Sequence, residues 1–242
     1  MIKQNRYKHK TWFIVLMACT IVLLIISMLI LDYYNLLPKR YYTARDFKID
    51  TVYSKIDYNN NGVDDYTDFV CGARKDAENH PAYDGKYWAE GYPPENIGVC
   101  TDVVWRSFRY AGYSLRDMID KDIKARSEAY SLAQKPDSNI DFRRVGNLHA
   151  FFAEYAIELT IDGTKIDQWQ PGDIVVFDQD KHIGILSDKR NRDGKPYVIH
   201  NGGQPNREED YLKNHDVTAH YRFDADKVNH DILVGWNDKN TQ

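Results

Sequence analysis

Apolar residues are unevenly spread along this chain. Trp12 to Leu31, "WFIVLMACTIVLLIISMLIL", runs 20 residues without a charge, about the length a helix needs to cross the hydrocarbon core of a bilayer. The pattern predicts one transmembrane helix over residues 11–31. Lys3, Arg6, Lys8 and Lys10 precede it with no acid among them. The positive-inside rule therefore keeps residues 1–10 cytoplasmic and places everything after the span outside. A cleavable signal peptide is the rival, but its apolar core is typically about 7–15 residues and ends in small residues, whereas this run ends "SMLILDYYNLLP". The expectation is an uncleaved signal anchor, single-pass in the cell membrane, carrying an extracytoplasmic domain.

After the span, Asp32 to Asp50 is aromatic and mixed in charge with no sustained period, and reads as a stalk over 32–50 that packs partly on the domain. Asp64 to Glu78 carries Tyr66, Phe69, Val70, Ala73 and Ala77 at helical spacing and stops at "NHP", because proline disfavours helical geometry in the residue before it. Pro81 to Gly98 is rich in Pro, Gly and Tyr and is predicted to be a long loop, a length that in compact domains often serves function. Beyond Cys100, Val104, Phe108 and Ala111 follow a 3.6 period until Gly112. Another helix is expected near Ser114, and one more carries Val145, Leu148, Phe152 and Tyr155 on one face. His149 falls on that apolar stripe and reads as a core histidine.

From about Leu159 the pattern changes to short β-rich runs: "DIVVFD", "HIGILSD", "YVIHN" and "VTAHYRF". Tight polar connections between them predict antiparallel hairpins. Helices followed by a meander make the domain, 51–238 with a tail at 239–242, an α+β fold.

At 242 residues and 43% hydrophobic, the chain is long enough for one substantial core. Net charge is −4, and removing the four cations ahead of the span leaves −8 on the remainder. Such a surface has no electrostatic footprint for nucleic acid.

"DYNNNGVDDYTD", Asp57 to Asp68, fits a twelve-residue calcium loop. Asp57, Asn59 and Asn61 take positions 1, 3 and 5, Gly62 the sharp turn at 6, Val63 a carbonyl at 7, Asp65 position 9 and Asp68 position 12. Alternate side chains converge on one hard cation, so a structural Ca2+ is expected. Asp68 in place of Glu resembles dockerin-type loops more than regulatory EF-hands. The competing reading is a solvated Asn/Gly turn that caps the following helix.

The remaining chemistry centres on "NIGVCTDVVWRSF", where Cys100 begins a helix. A thiol attacks only as thiolate, and at an unperturbed pKa of about 8.5 little is ionised at neutral pH. A helix N-terminus and a nearby imidazole both favour the anion. Asp102 opposes it unless turned away or neutralised. Among His80, His149, His182, His200, His215, His220 and His230, two lie at strand ends that an antiparallel hairpin brings side by side. His182 is the expected base, with His200 or neighbouring Asn201 as its orienting partner.

"QPGDIVVF", "HIGILSD" and "YVIHN" resemble the order of motifs in NlpC-type cell-wall peptidases, the compact bacterial branch of the papain-like fold. The resemblance implies Cys100 as nucleophile, His182 as base and His200 as orienter. More closely, "NNGVDDYTD", "YPPENIGVCTDVVWRSF", "DFRRVGNL", "WQPGDIVVF" and "IHNGGQPNREED" resemble the domain of unknown function family 1287, over most of Asp50 to Phe223. The chain departs from the NlpC pattern at Val99 and Thr101, where an acid and a serine usually flank the cysteine. The resemblance implies hydrolysis of a peptidoglycan amide, within the stem peptide or between it and muramic acid, with no catalytic cofactor. Tyr92 or Asn96 is the expected second oxyanion donor beside the Cys100 N–H, and Arg207, in a loop rimming the cleft, would pair with a substrate carboxylate.

Three other readings are open on sequence. Cys71 and Cys100 can form a disulfide in an oxidising compartment; Cys100, His182 and His200 can bind zinc; or the chain is a non-catalytic, calcium-stabilised module binding cell wall or protein through its tyrosines.

Overall fold

A helix of 32 residues, α1 (Ile2–Tyr33), opens the chain, and its stretch Lys10–Tyr33 is long and apolar enough to cross a membrane or to act as a signal sequence. From residue 10 its side chains are exposed. The computed structural model describes residues 2–33, 37 and 40–237; the expected tail at 239–242 and residues 34–36, 38 and 39 of the expected stalk lie outside the described residues. The chain divides into two units, 1–39 and 40–242. The far end of the expected stalk belongs to the second unit, where Tyr42 and Arg190 exchange backbone hydrogen bonds at 3.0 and 2.7 Å and Ala44 is buried.

Asp64 caps α2 (Asp65–Asn79) by accepting from the Tyr66 and Thr67 N–H groups, and His80 ends it in a left-handed conformation at φ 53°. Its apolar stripe packs on α3 (Cys100–Tyr110): Phe69 stacks on Phe108 at 4.5 Å, and Ser107 Oγ donates to the Phe69 carbonyl at 2.7 Å. Within the long loop expected between these helices, β1 (Ala82–Tyr83) and β2 (Ile97–Gly98) form a two-residue parallel pair. Helices α4 (Leu115–Ala125) and α5 (Val145–Tyr155) complete the helical layer.

The remainder is a six-stranded antiparallel sheet built from β3 (Ile157–Glu158), β4 (Ile174–Phe177), β5 (His182–Arg190), β6 (Pro196–Ile199), β7 (Glu208–Glu209) and β8 (Val217–Arg222), in the order β3-β8-β4-β5-β6-β7. The mixed α+β class and the antiparallel sheet thus agree with the sequence reading. Ile174, Val176, Ile183, Ile185 and Ile199 face the helices. Alternate residues Val175, Phe177, Leu186 and Val198 form a second cluster with Trp169 on the opposite face. Burial on both faces explains why "IVVF" and "IGIL" read as unbroken apolar runs.

His149 departs from its expected place: its Nδ1 lies 2.6 Å from Asp180 Oδ1, with a quarter of the side chain exposed. Sequence spacing puts it beside the stripe, but α5 turns it toward the β4–β5 turn instead of the core.

Candidate active site

The chain enters α3 through a loop pinned from the helix itself. Arg106 pairs with Asp76 at 2.5 Å and donates to the Pro94 and Ile97 carbonyls. Gly98 is needed there, because a Cβ would meet Arg106 Nη1 at 2.9 Å. Val99 is extended and Cys100 is the first helical residue, so the thiol is held among N–H groups that lack intrahelical partners. Asp102 is turned inward, and its charge is answered. It accepts from the Val99 N–H at 2.7 Å, from Trp105 Nε1 at 2.7 Å, and from Arg143 Nε and Nη2 at 2.8 and 2.9 Å. Both partners of the Asp102–Arg143 pair are buried, so the carboxylate acts as a helix cap and anchor.

Opposite Cys100, β5 opens with His182, and His200 directly follows β6. Gly184 makes this approach feasible, since a Cβ there would meet Val198 Cγ1 at 2.6 Å and His200 Cβ at 3.2 Å. His182 Nε2 lies 2.8 Å from His200 Nδ1, and His200 Nε2 lies 3.2 Å from Glu209 Oε1. With Glu209 ionised, one proton order satisfies both contacts: His200 Nε2–H donates to the carboxylate, His182 Nε2–H donates to His200 Nδ1, and His182 Nδ1 keeps its lone pair. Tyr211 packs over both rings, at 4.2 Å from His200 and 5.2 Å from His182, and is itself stacked on His215 at 3.7 Å.

Burial dominates the electrostatics. It pushes the Cys100 thiol up to about 11, although hydrogen bonding from the backbone N–H of Ile183 and Thr101 opposes the rise. It lowers His182 to about 3, with the fields of His200 and His215 acting in the same direction. His200 is lowered by burial too, against the pull of Glu209. The resting pair is therefore a neutral thiol and a neutral imidazole. The His182 ring bonds to His200 and makes no direct hydrogen bond to Cys100, whose sulfur instead faces the N–H of the next residue, Ile183.

Other sequence-predicted positions lie elsewhere. Tyr92 packs among Trp105, Phe142 and Trp236, and burial raises its phenol to about 12. Asn96 is exposed and contributes its carbonyl to the β1–β2 pair. The tyrosine of this loop that feels the Cys100 charge is Tyr83, more than half exposed. Asn201 Nδ2 donates to the Pro81 and Gly98 carbonyls, away from His182. Arg207 is 6% exposed and is held by Gln204 Oε1 and the Pro81 carbonyl. Both residues clasp the "NGGQPNREED" loop to the segment leading into Cys100, so burial keeps Arg207 from an open rim.

Cys19, Cys71 and Cys100 are all free thiols, and Cys71 lines a separate cavity with Arg74 and Asp188. Among the described residues no three His, Cys, Asp or Glu side chains are grouped as metal ligands. In the 57–68 loop, Asn59 and Asn61 amides converge on Asp68 Oδ2 at 2.8 and 3.0 Å. Asp57 accepts from the N–H groups of Asn61 and Gly62, and Val63 N–H donates to Asn61 Oδ1. Asp65 departs from the ring: it accepts from Tyr113 Oη at 2.5 Å and from the Tyr58 N–H, and burial raises its carboxyl to about 6.

Sequence reasoning missed Glu209, Tyr211, Tyr83 and the Asp102–Arg143 pair. The arginine lay within the "DFRRVGNL" motif, but nothing in its spacing identified its partner.

Residues 70–223 match the protein family described as Domain of unknown function (DUF1287); the 57–68 loop lies outside the matched stretch. The "Uncharacterized protein YijF" of Escherichia coli (strain K12) is 38% identical over 162 residues, covering 63% of this chain and 78% of that protein. No solved structure matches. With Cys100, Asp102, Arg143, His182, His200 and Glu209 all inside the matched stretch, the chain belongs to the DUF1287 family.

Proposed function

We propose that this chain is a membrane-anchored extracytoplasmic cysteine hydrolase of papain-like, NlpC type, cleaving an amide bond of peptidoglycan: a stem-peptide bond or the muramoyl-alanine link. The observation that carries the reading is the 2.8 Å bond from His182 Nε2 to His200 Nδ1. In the proton order that satisfies it, His182 Nδ1 is the base proposed for the Cys100 thiol at the head of α3. The extracytoplasmic placement is supported by α1 and the cations ahead of it, and the peptidoglycan substrate by the resemblance of the motifs.

His182 Nδ1 takes the Cys100 proton as the thiolate attacks the substrate carbonyl carbon. The Cys100 N–H, and the Tyr83 phenol near it, stabilise the oxyanion. Collapse of the tetrahedral intermediate breaks the C–N bond, and His182 returns its proton to the departing amine. Water, deprotonated by His182, then cleaves the thioester and releases the acid. Because burial favours the neutral thiol and imidazole, substrate must close the gap between Cys100 and His182. Catalytic contacts commonly tighten in this way only in the Michaelis complex.

The test is digestion of purified peptidoglycan by wild type and Cys100→Ala, with products read by mass spectrometry. Amide-cleaved fragments from wild type alone are expected. Equal product from both sinks the enzyme reading, and binding without product from either supports a non-catalytic wall-binding module.

The 57–68 loop is proposed as a structural calcium site. Its carboxylates and amide oxygens are hard donors suited to that ion, and the side chains at positions 3 and 5 already meet that at position 12. Asp65, held by Tyr58 and Tyr113, is not among the proposed ligands.

A further inference from the structure

We propose that Glu209 is a positioning residue that anchors a buried relay, Cys100–His182–His200–Glu209, and supplies the negative charge that lets His182 take up a proton. The inference rests on the hydrolase reading and deepens it.

A neutral resting pair poses a physical problem. Moving the thiol proton onto His182 creates an imidazolium in a site that burial makes hostile to it. A buried cation is tolerated only when a counter-charge is near and hydrogen bonds are satisfied. The thiolate is one such charge, but it is consumed as the S–C bond forms. During that step the imidazolium must be held by something else.

Groups facing the two rings are few. His182 meets His200, Tyr211 and Phe177. His200 meets His182, the Gln204 amide at 3.1 and 3.2 Å, Tyr211 and Glu209. Farther off, His215 and Arg207 act on them, and both disfavour added positive charge. Among the described residues, Glu209 is therefore the carboxylate in hydrogen-bond contact with the relay, and its side chain is 12% exposed, so water screens it weakly.

Strand geometry makes the choice between adjacent acids specific. On β7, Glu208 and Glu209 sit opposite Ile199 and Val198 of β6, and successive side chains point to opposite faces. Glu208 goes to Arg74, Ser187 and Lys189. Glu209 goes to His200. The pair pins the tautomer of His200, which pins that of His182, much as a carboxylate orients a catalytic histidine directly in a triad. Here a second imidazole extends the reach.

The experiment alkylates Cys100 in the full chain with iodoacetamide across pH 5–11, with peptide mapping to separate it from Cys71 and Cys19. Wild type should show a low plateau near neutral pH, from the small, pH-independent fraction of thiolate–imidazolium form in equilibrium with the neutral pair, below an alkaline limit where the thiol ionises unaided. Glu209→Gln should lower the neutral rate about tenfold, the effect of one pKa unit, and leave the alkaline limit unchanged. Glu209→Asp should recover part of it, and Glu208→Gln should leave both rates in place. A merely structural defect moves both limits together. An unchanged neutral rate in folded Glu209→Gln, or equal loss at both limits, overturns the proposal. Failure of the hydrolase reading is seen separately, as peptidoglycan cleavage by Cys100→Ala.

Discussion

Asp102 and Arg143 determine whether a thiol can ionise at the head of α3. An unpaired carboxylate two residues from Cys100 would oppose the thiolate more strongly; paired in bidentate fashion with a buried guanidinium, Asp102 still raises the thiol while it holds the helix start. Arg143→Ala leaves that carboxylate buried without its counter-charge, a loss of about 3–5 kcal/mol for a pair of this kind. Thermal or denaturant unfolding should show it directly. Arg143→Lys should fail to restore full stability, because one ammonium cannot reproduce the fork. The histidines give a second prediction. His182 binds its proton more weakly folded than unfolded, at about 3 against an ordinary 6.5. Between those values the unfolded chain holds more protons, so stability contributed by neutral His182 is lost as pH falls from about 6.5 toward 3. Asp65, raised to about 6, acts in the opposite direction between about 4 and 6. The decisive quantity is therefore the difference between wild type and His182→Gln, whose melting temperature should fall less steeply with acid. Cys100, His182 and His200 were legible from residue type and strand-end position. Glu209 and Arg143 were not, because their partners are fixed by strand register and loop closure, which leave no local period.

Among the elements, those long enough to show a period were readable: α2, α3 and α5 by 3.6, and β4, β5, β6 and β8 as short apolar runs. The two-residue strands β1, β2, β3 and β7 are too brief to alternate, and of these β2 leads into Cys100 and β7 carries Glu209. Gly184 links this scale to the chemistry, because it lets β6 lie close enough for the two imidazoles to meet. Gly184→Ala forces a methyl against Val198 and the Ile199 carbonyl, an overpacking cost of about 1–3 kcal/mol. It should lower the neutral-pH alkylation rate of Cys100 as well as the melting temperature. The 57–68 loop is an element of another kind, since its carboxylates repel and two of its amides already donate to Asp68. Millimolar calcium should raise the melting temperature of the wild-type chain and leave Asp57→Ala unmoved. An unchanged wild-type melting curve rejects the ion and leaves the loop as a self-capped turn before α2.

At the scale of the whole molecule, the proposed activity depends on where the domain works. A soluble helix of this length would hide an apolar face, whereas Trp12–Leu31 carries no charge on any side, which in water is costly and in lipid is favourable. The proposed hydrolase of cell-wall amides would gain from an anchor: a tether would confine its site to the layer next to the membrane and raise its effective concentration there. Whether α1 persists as an anchor or is removed as a signal sequence has a measurable consequence. The anchor reading expects a membrane-fraction protein of intact mass, 28.3 kDa, resisting alkaline carbonate extraction, whose domain is digested by protease added outside the cytoplasmic membrane. A cleaved signal sequence would instead yield a shorter soluble chain beginning after the apolar run. Reversing the flanking charge, with Lys3, Arg6, Lys8 and Lys10 all changed to Glu, should reduce the externally digestible fraction if those cations set the orientation. If that fraction is unchanged, orientation is set by something other than the four cations, and the extracytoplasmic placement must rest on the protease result alone.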